Sequence, residues 1–270
     1  MSGGDQSHTG AHPAVVVERH GSVACVTLAR PEKANAMDAE ITDALLGAVR
    51  AVRDDADVRA MVLTGRGSAF SAGGHFETIR AMRDDRPLRD AVLAAHQELF
   101  WVMTHLPFPT VAAVNGAAVG AGVTVALLCD LVVMAEDTFL SDPRVSLGLL
   151  DGAGGLVLWP LLTSLSAAKE HLFLGDRVSG VEAHRLGLAN RAVPASDVLD
   201  EALQLAKRLS ALPPQAVRQT RQLLNFHIDQ VAAILPQCAR AESECFDTEE
   251  HRMLLERLSA RVAAKTARTR

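Results

Sequence analysis

The stretch TVAAVNGAAVGAGVTVALLCDLVVMA, residues 110–135, decides how this chain folds. Thr110 to Val114 is a short apolar run bounded upstream by Pro107 and Pro109, which reads as a buried strand. Gly116 to Gly122 is a turn of small residues leading into a buried helix through Leu128. Asp130 to Ala135 is a second strand. From Val111 to Met134 the chain is apolar enough to raise the question of a membrane span. Asn115, the glycines at 116, 120 and 122, and Asp130 interrupt it, so a strand–turn–helix–strand unit is the better reading.

Working outward, Ala14 to Glu18 and Val23 to Ala29 flank Gly21 and form a β-hairpin. Asp38 can cap a helix whose apolar face is Ile41, Ala44, Leu45, Ala48, Val49 and Val52. Val58 to Thr64 is a buried strand, and the Gly/Ala/Ser-rich segment Ser68 to Phe76 reads as a loop. Leu88 to His105 is helical and stops at the two prolines. Beyond Gly155 the pattern is mostly helical, at Ser166–Leu174, Ser179–Leu186, Ser196–Ala211 and Pro213–Phe226, with a last short strand at Arg191–Val193. Strands alternating with helices define an α/β protein. Residues 1–13 read as a disordered tail, 14–212 as the core, and 213–270 as a helical region beginning near Leu212-Pro213-Pro214.

The 270 residues are 49% hydrophobic and carry a net charge of -5. That balance argues against a general nucleic-acid binder. Cys25, Cys129, Cys238 and Cys245 form no C-x-x-C pair, so neither a zinc site nor a disulfide framework is indicated, and reduced buried thiols are expected. The first residues lack the basic and apolar regions of a signal peptide. A cytoplasmic protein with no membrane association is the expectation.

Two loops can carry chemistry. One is Ala69-Phe70-Ser71-Ala72-Gly73-Gly74-His75-Phe76, and the other is Asn115-Gly116-Ala117-Ala118-Val119-Gly120-Ala121-Gly122. Small residues let a ligand approach the backbone, and the freed N–H groups can donate to it. Two donors converging on one oxygen would make an oxyanion hole. The alternative is a pair of tight turns with close helix–sheet packing. No Gly-Lys-Ser/Thr follows either loop, and neither has dinucleotide spacing.

In order and spacing, Arg30-Pro31-Glu32-Lys33-Ala34-Asn35-Ala36-Met37, the two loops, Cys129-Asp130, Gly152-Ala153-Gly154-Gly155, Leu174-Gly175-Asp176-Arg177 and Ala183–Asn190 resemble the enoyl-CoA hydratase/isomerase (crotonase) family, over about residues 14–265. The resemblance implies a crotonase-like spiral of β-β-α repeats with a C-terminal helical trimerisation region. It implies an acyl-CoA substrate and a homotrimer or a hexamer built as a dimer of trimers. No metal or redox cofactor is expected, since coenzyme A arrives as part of the substrate. Gly74 and Ala121 match the two oxyanion N–H donors. Lys33, Ala34 and Ala36 match the first CoA-binding segment, and Ala72, His75 and Phe76 the adenine and pantetheine path. His75 stands where the family usually has Asp. Leu258 and Arg261 fall near the residues that a C-terminal helix offers to CoA.

Hydration across an enoyl-CoA double bond needs two acid/base groups, which hydratases of the family supply as glutamates. Here those positions are Thr124 and Arg144. Thr124 is a poor proton acceptor and Arg144 stays protonated, so the two-glutamate mechanism is not expected. Asp151 is the carboxylate candidate, at a spacing similar to that of the naphthoate synthases. It reads either as a base or as a cap for the helix near Gly155. Asp142 reads mainly as a turn residue before Pro143. Arg144 either pairs with Asp142 or Asp151, or binds an anionic group on the acyl chain. His96, His105 and His171 read as surface or packing residues, and Trp159 as core. Isomerase, lyase or hydrolase chemistry through an enolate is expected ahead of two-glutamate hydration. The alternative is an acyl-CoA-binding scaffold with weakened catalysis.

Overall fold

The computed structural model describes residues 12–268, with side-chain surroundings through residue 260. The expected tail at 1–13 falls, but for its last two residues, outside the described residues, as does the side chain of Arg261.

β1 (Val15–His20) and β2 (Val23–Leu28) form the expected antiparallel hairpin. A 3-10 turn at Pro31–Lys33 leads to α1 (Ala39–Asp54). Asp38 caps α1 as its spacing suggests, its carboxylate accepting from the Ile41 N–H at 3.1 Å. The chain continues through β3 (Ala60–Gly65), β4 (Ala69–Ser71), α2 (Phe76–Asp84) and α3 (Arg86–Thr104). The quoted stretch then forms β5 (Thr110–Val114), β6 (Ala117–Val119), α4 (Ala121–Leu127) and β7 (Leu131–Ala135). Next come β8 (Phe139–Ser141), α5 (Gly155–Leu162), α6 (Leu165–Leu174), β9 (Val178–Ser179), α7 (Gly180–Leu186), β10 (Arg191–Val193) and α8 (Val198–Ser210). Three helices close the chain: α9 (Pro214–Ala232), α10 (Leu235–Phe246) and α11 (Glu249–Arg268).

The strands sort into two sheets. One runs β1-β2-β3-β5-β7-β10 and the other β4-β6-β8-β9. In each turn of the chain the first strand (β3, β5, β7) joins the large sheet and the next (β4, β6, β8) joins the small one. A helical segment then returns the chain, which gives the spiral of β-β-α repeats. Successive residues of the large sheet enter different cores. Leu63, Ala112 and Met134 pack inward, whereas Val62, Val111, Ala113 and Val133 pack with Val198, Ala202 and Leu205 of α8. A sheet covered on both faces needs apolar residues at every position, which is why Thr110–Val114 shows no alternation.

The segments 68–76 and 116–122 differ from the loop and turn expected of them, since they contain β4 and β6. These strands have three residues each and pair with one another in parallel, about fifty residues apart in sequence. No local periodicity can report such pairing. Arg221 ties the closing helices to the spiral. Its buried guanidinium donates to Asp130 at 2.8 Å and to the carbonyls of Met103, Thr104 and Leu106. Among the described residues no helix is long and apolar enough to cross a membrane.

Candidate active site

Residues 30–37 form the first wall of the site. Asn35 is wholly buried at a positive φ of 53°. Its side chain accepts from the Arg30 N–H at 2.9 Å and donates to the carbonyls of Arg66 and Ala69. Its own carbonyl accepts from the Ser71 hydroxyl at 2.8 Å. Lys33, Ala34 and Ala36 are thereby fixed beside the 69–76 loop, and the Ala72 N–H donates to Ala34 O at 2.9 Å.

That loop carries Gly74, the first of the two expected donors. Met37 N–H donates to Gly73 O at 2.6 Å and His75 N–H to Met37 O at 3.1 Å. Gly74 lies between these bonds, and its own N–H makes none among the described residues. Ala121 opens α4, where a backbone N–H has no intrahelical partner. The preceding N–H, of Gly120, is spent on Ser141 O at 2.9 Å. Gly73 holds the two loops together: at φ +79° it packs so tightly that a Cβ there would lie 2.2 Å from Val119 O. Gly74 and Ala121 line a single cavity together with Ala72, His75, His96, Arg144, Glu242 and Phe246.

The expected acid/base residues surround Arg144. Its Nε and Nη2 donate to the two oxygens of Asp142 at 2.8 and 2.6 Å, and Nη2 donates to Asp151 Oδ2 at 2.6 Å. Thr124 donates to Asp151 Oδ2 at 3.0 Å. Asp151 also accepts from the N–H groups of Ala153 and Gly155, both at 2.7 Å, the second at the start of α5. Asp151 thus makes the capping contact and the Arg144 pair at once. Asp151 and Thr124 are not among the residues lining the cavity of Gly74 and Ala121. They bond to Arg144, which is. On its other side Arg144, with Asp142 and Asp151, borders a largely apolar cavity lined by Leu156, Leu172 and Phe173. Lys33, Ala34, Ala36, Phe76 and Leu258 lie off the first cavity's wall.

Sequence reasoning missed Glu242. It lies on α10 among Leu235, Cys238 and Phe246, all buried. A glutamate at that helical spacing within an apolar stripe is the signal that marks it. Its Oε2 accepts from the Gly152 N–H at 2.8 Å, and its Oε1 has no hydrogen bond among the described residues. Burial pushes its carboxyl up to about 8, with Arg144 opposing and Asp151 adding to the rise. Burial likewise raises the Asp151 carboxyl, against the pull of Arg144. Burial works against the Arg144 charge, but Asp142 and Asp151 outweigh it and hold its pKa above the ordinary arginine value. Arg144 bonds directly to Asp142 and Asp151, whereas Glu242 feels its charge without a hydrogen bond to it among the described residues.

His96, expected as a surface or packing residue, lines the cavity of Gly74 and Ala121. Burial, aided by Arg144, pulls it down to about 4, so it is neutral. Its buried Nε2 has no partner among the described residues, although the residue lines the cavity. His105 is exposed beside Asp229, and His171 lies against the buried Trp159.

The pattern of the family described as enoyl-CoA hydratase/isomerase matches residues 18–258. A short-chain-enoyl-CoA hydratase of Clostridium acetobutylicum is 29% identical over 88% of this chain and 91% of its own. A crystal structure of an enoyl-CoA hydratase/isomerase from Mycobacterium paratuberculosis superposes with a TM-score of 0.87 at 37% identity, covering 91% of this chain and 98% of that one. A monofunctional enoyl CoA isomerase from M. smegmatis superposes with a TM-score of 0.68 at 31% identity, covering 81% and 95%. The chain belongs to the enoyl-CoA hydratase/isomerase family, and within it is an acyl-CoA enzyme of crotonase fold.

Proposed function

We propose that the thioester carbonyl of an acyl-CoA sits between the N–H groups of Gly74 and Ala121, which stabilise the enolate formed when a proton or other group leaves the α-carbon. The observation that carries this reading is that both N–H groups are unspent among the described residues and line one cavity. Each such donor contributes about 3 kcal/mol to a transition state of this kind. The CoA portion runs along Lys33, Ala34 and Ala36 and past Ala72, His75 and Phe76, with Leu258 of α11 offered to it.

Double-bond isomerisation, or lyase or hydrolase chemistry through the same enolate, is favoured over hydration. Thr124 and Arg144 stand in place of the glutamate pair, and Arg144 is already bound to two carboxylates. Coenzyme A enters as part of the substrate, with no separate cofactor. Self-association as a trimer or a dimer of trimers belongs to the same reading. It is supported by exposed apolar residues such as Leu223, Leu224 and Phe226 on α9.

Turnover of a panel of acyl-CoA thioesters tests the reading. Ala121→Pro removes one donor at a first helical position, where proline is tolerated, and should lower turnover by about 100-fold or more with CoA binding kept. CoA binding without turnover of any thioester would favour the weakened scaffold.

A further inference from the structure

We propose that Glu242, delivered by the C-terminal helix α10, is the acid/base group of this site and moves a single proton at the carbons next to the thioester. The inference rests on Gly74 and Ala121 being the oxyanion donors. It follows from the arrangement of the acids. Asp142 is held through both its oxygens by Nε and Nη2 of Arg144, and Asp151 Oδ2 by Arg144, Thr124 and Gly155 together. Neither has an unspent oxygen on the cavity of the two N–H donors. Glu242 has one: Oε2 is anchored to Gly152, Oε1 is unspent, and the residue lines the same cavity as Gly74 and Ala121.

Gly152 makes this approach possible. A Cβ there would lie 2.4 Å from Glu242 Oε2, so any larger residue would push the carboxyl away. The charged and titratable neighbours are Arg144, Asp142 and Asp151 from the segment before α5, His96 of α3, and Cys238 and Cys245 on α10 itself.

In the step, the Glu242 carboxylate takes a proton from the α-carbon. The C–H electron pair enters the enolate, whose negative oxygen is held by Gly74 and Ala121. The Glu242 carboxylic acid then returns the proton to the α-carbon or, in a β,γ-unsaturated acyl group, to the γ-carbon. The second outcome shifts the double bond into conjugation with no other reactant. One carboxyl suffices for this, whereas adding water would need a second.

The experiment follows loss of label to water from butyryl-CoA deuterated at the α-carbon, using the full chain, with binding of the same thioester read by calorimetry. Glu242→Gln keeps an acceptor for Gly152 and should slow label loss by about 100-fold or more at unchanged affinity, with Glu242→Asp recovering part of it. In the wild type the rate should rise with pH and level off near pH 8. Wild-type label loss in Glu242→Gln would overturn the proposal, and so would a wild-type rate flat from pH 6 to 9, a measurement that needs no variant to fold. Wild-type binding without label loss would overturn the role of Glu242 and leave the acyl-CoA reading standing. Absence of binding would overturn both.

Discussion

Arg144 Nη2 lies 2.6 Å from Asp151 Oδ2 and the same distance from Asp142 Oδ2, so one guanidinium nitrogen bridges two buried carboxylates. Replacing this arginine while leaving its partners is expected to be severe. Arg144→Met should destabilise the fold by about 3–5 kcal/mol at pH 7, because two acids lose their countercharge. The loss should be smaller at pH 5 than at pH 7, because burial raises the Asp151 carboxyl and lower pH favours its uncharged form. Denaturant unfolding at the two pH values checks this.

Glu242 should leave a mark on stability as well as on turnover. Its carboxyl is raised from 4.5 to about 8 in the fold, so between those values the native state holds a proton that the unfolded chain releases. The stability it contributes is full below about pH 4.5 and is lost as pH rises through 8. The slope is at most about 1.4 kcal/mol per pH unit. Denaturation from pH 5 to 8.5 should show this decline, and Glu242→Gln should flatten it.

Gly152→Ala places a methyl group 2.4 Å from Glu242 Oε2 and 3.1 Å from Ala239 Cα. The backbone contact cannot yield easily, so a destabilisation of about 1–3 kcal/mol is expected. Turnover should fall further than that loss implies, with acyl-CoA affinity retained. Thermal unfolding beside steady-state kinetics separates the two effects.

Asn35→Ala should act on substrate binding. It leaves Arg30 N–H and the carbonyls of Arg66 and Ala69 without their partner, and puts alanine at φ +53°. A cost of about 2–3 kcal/mol is expected. Because the 33–36 segment is loosened, KM for an acyl-CoA should rise more than kcat falls.

Much of this architecture could be read from residues 110–135 and their neighbours. The buried strands showed as unbroken apolar runs, and Asp38 and Pro107 marked helix ends. The second sheet could not be read, because β4, β6 and β8 are three residues each and exist only through pairing with one another. The positions of Gly74 and Ala121 followed from small-residue loops and a family resemblance. The state of Asp151 did not, since it depends on donors from residues 124, 144, 153 and 155 meeting around one carboxylate. Glu242 sits ninety residues from Gly152, its anchor, and no spacing rule spans that distance.

The Glu242–Gly152 bond also sets an order on biosynthesis. The spiral through β10 carries Gly74 and Ala121, yet the Glu242 carboxyl on the same cavity arrives only with α10, later in the chain. N-terminal portions of a chain tend to fold first as it emerges. A nascent chain stalled before α10 would therefore hold the two proposed backbone donors without the proposed proton carrier. On the proposed reading the reactive centre is finished only when α10 docks, which couples the onset of chemistry to the docking of that helix.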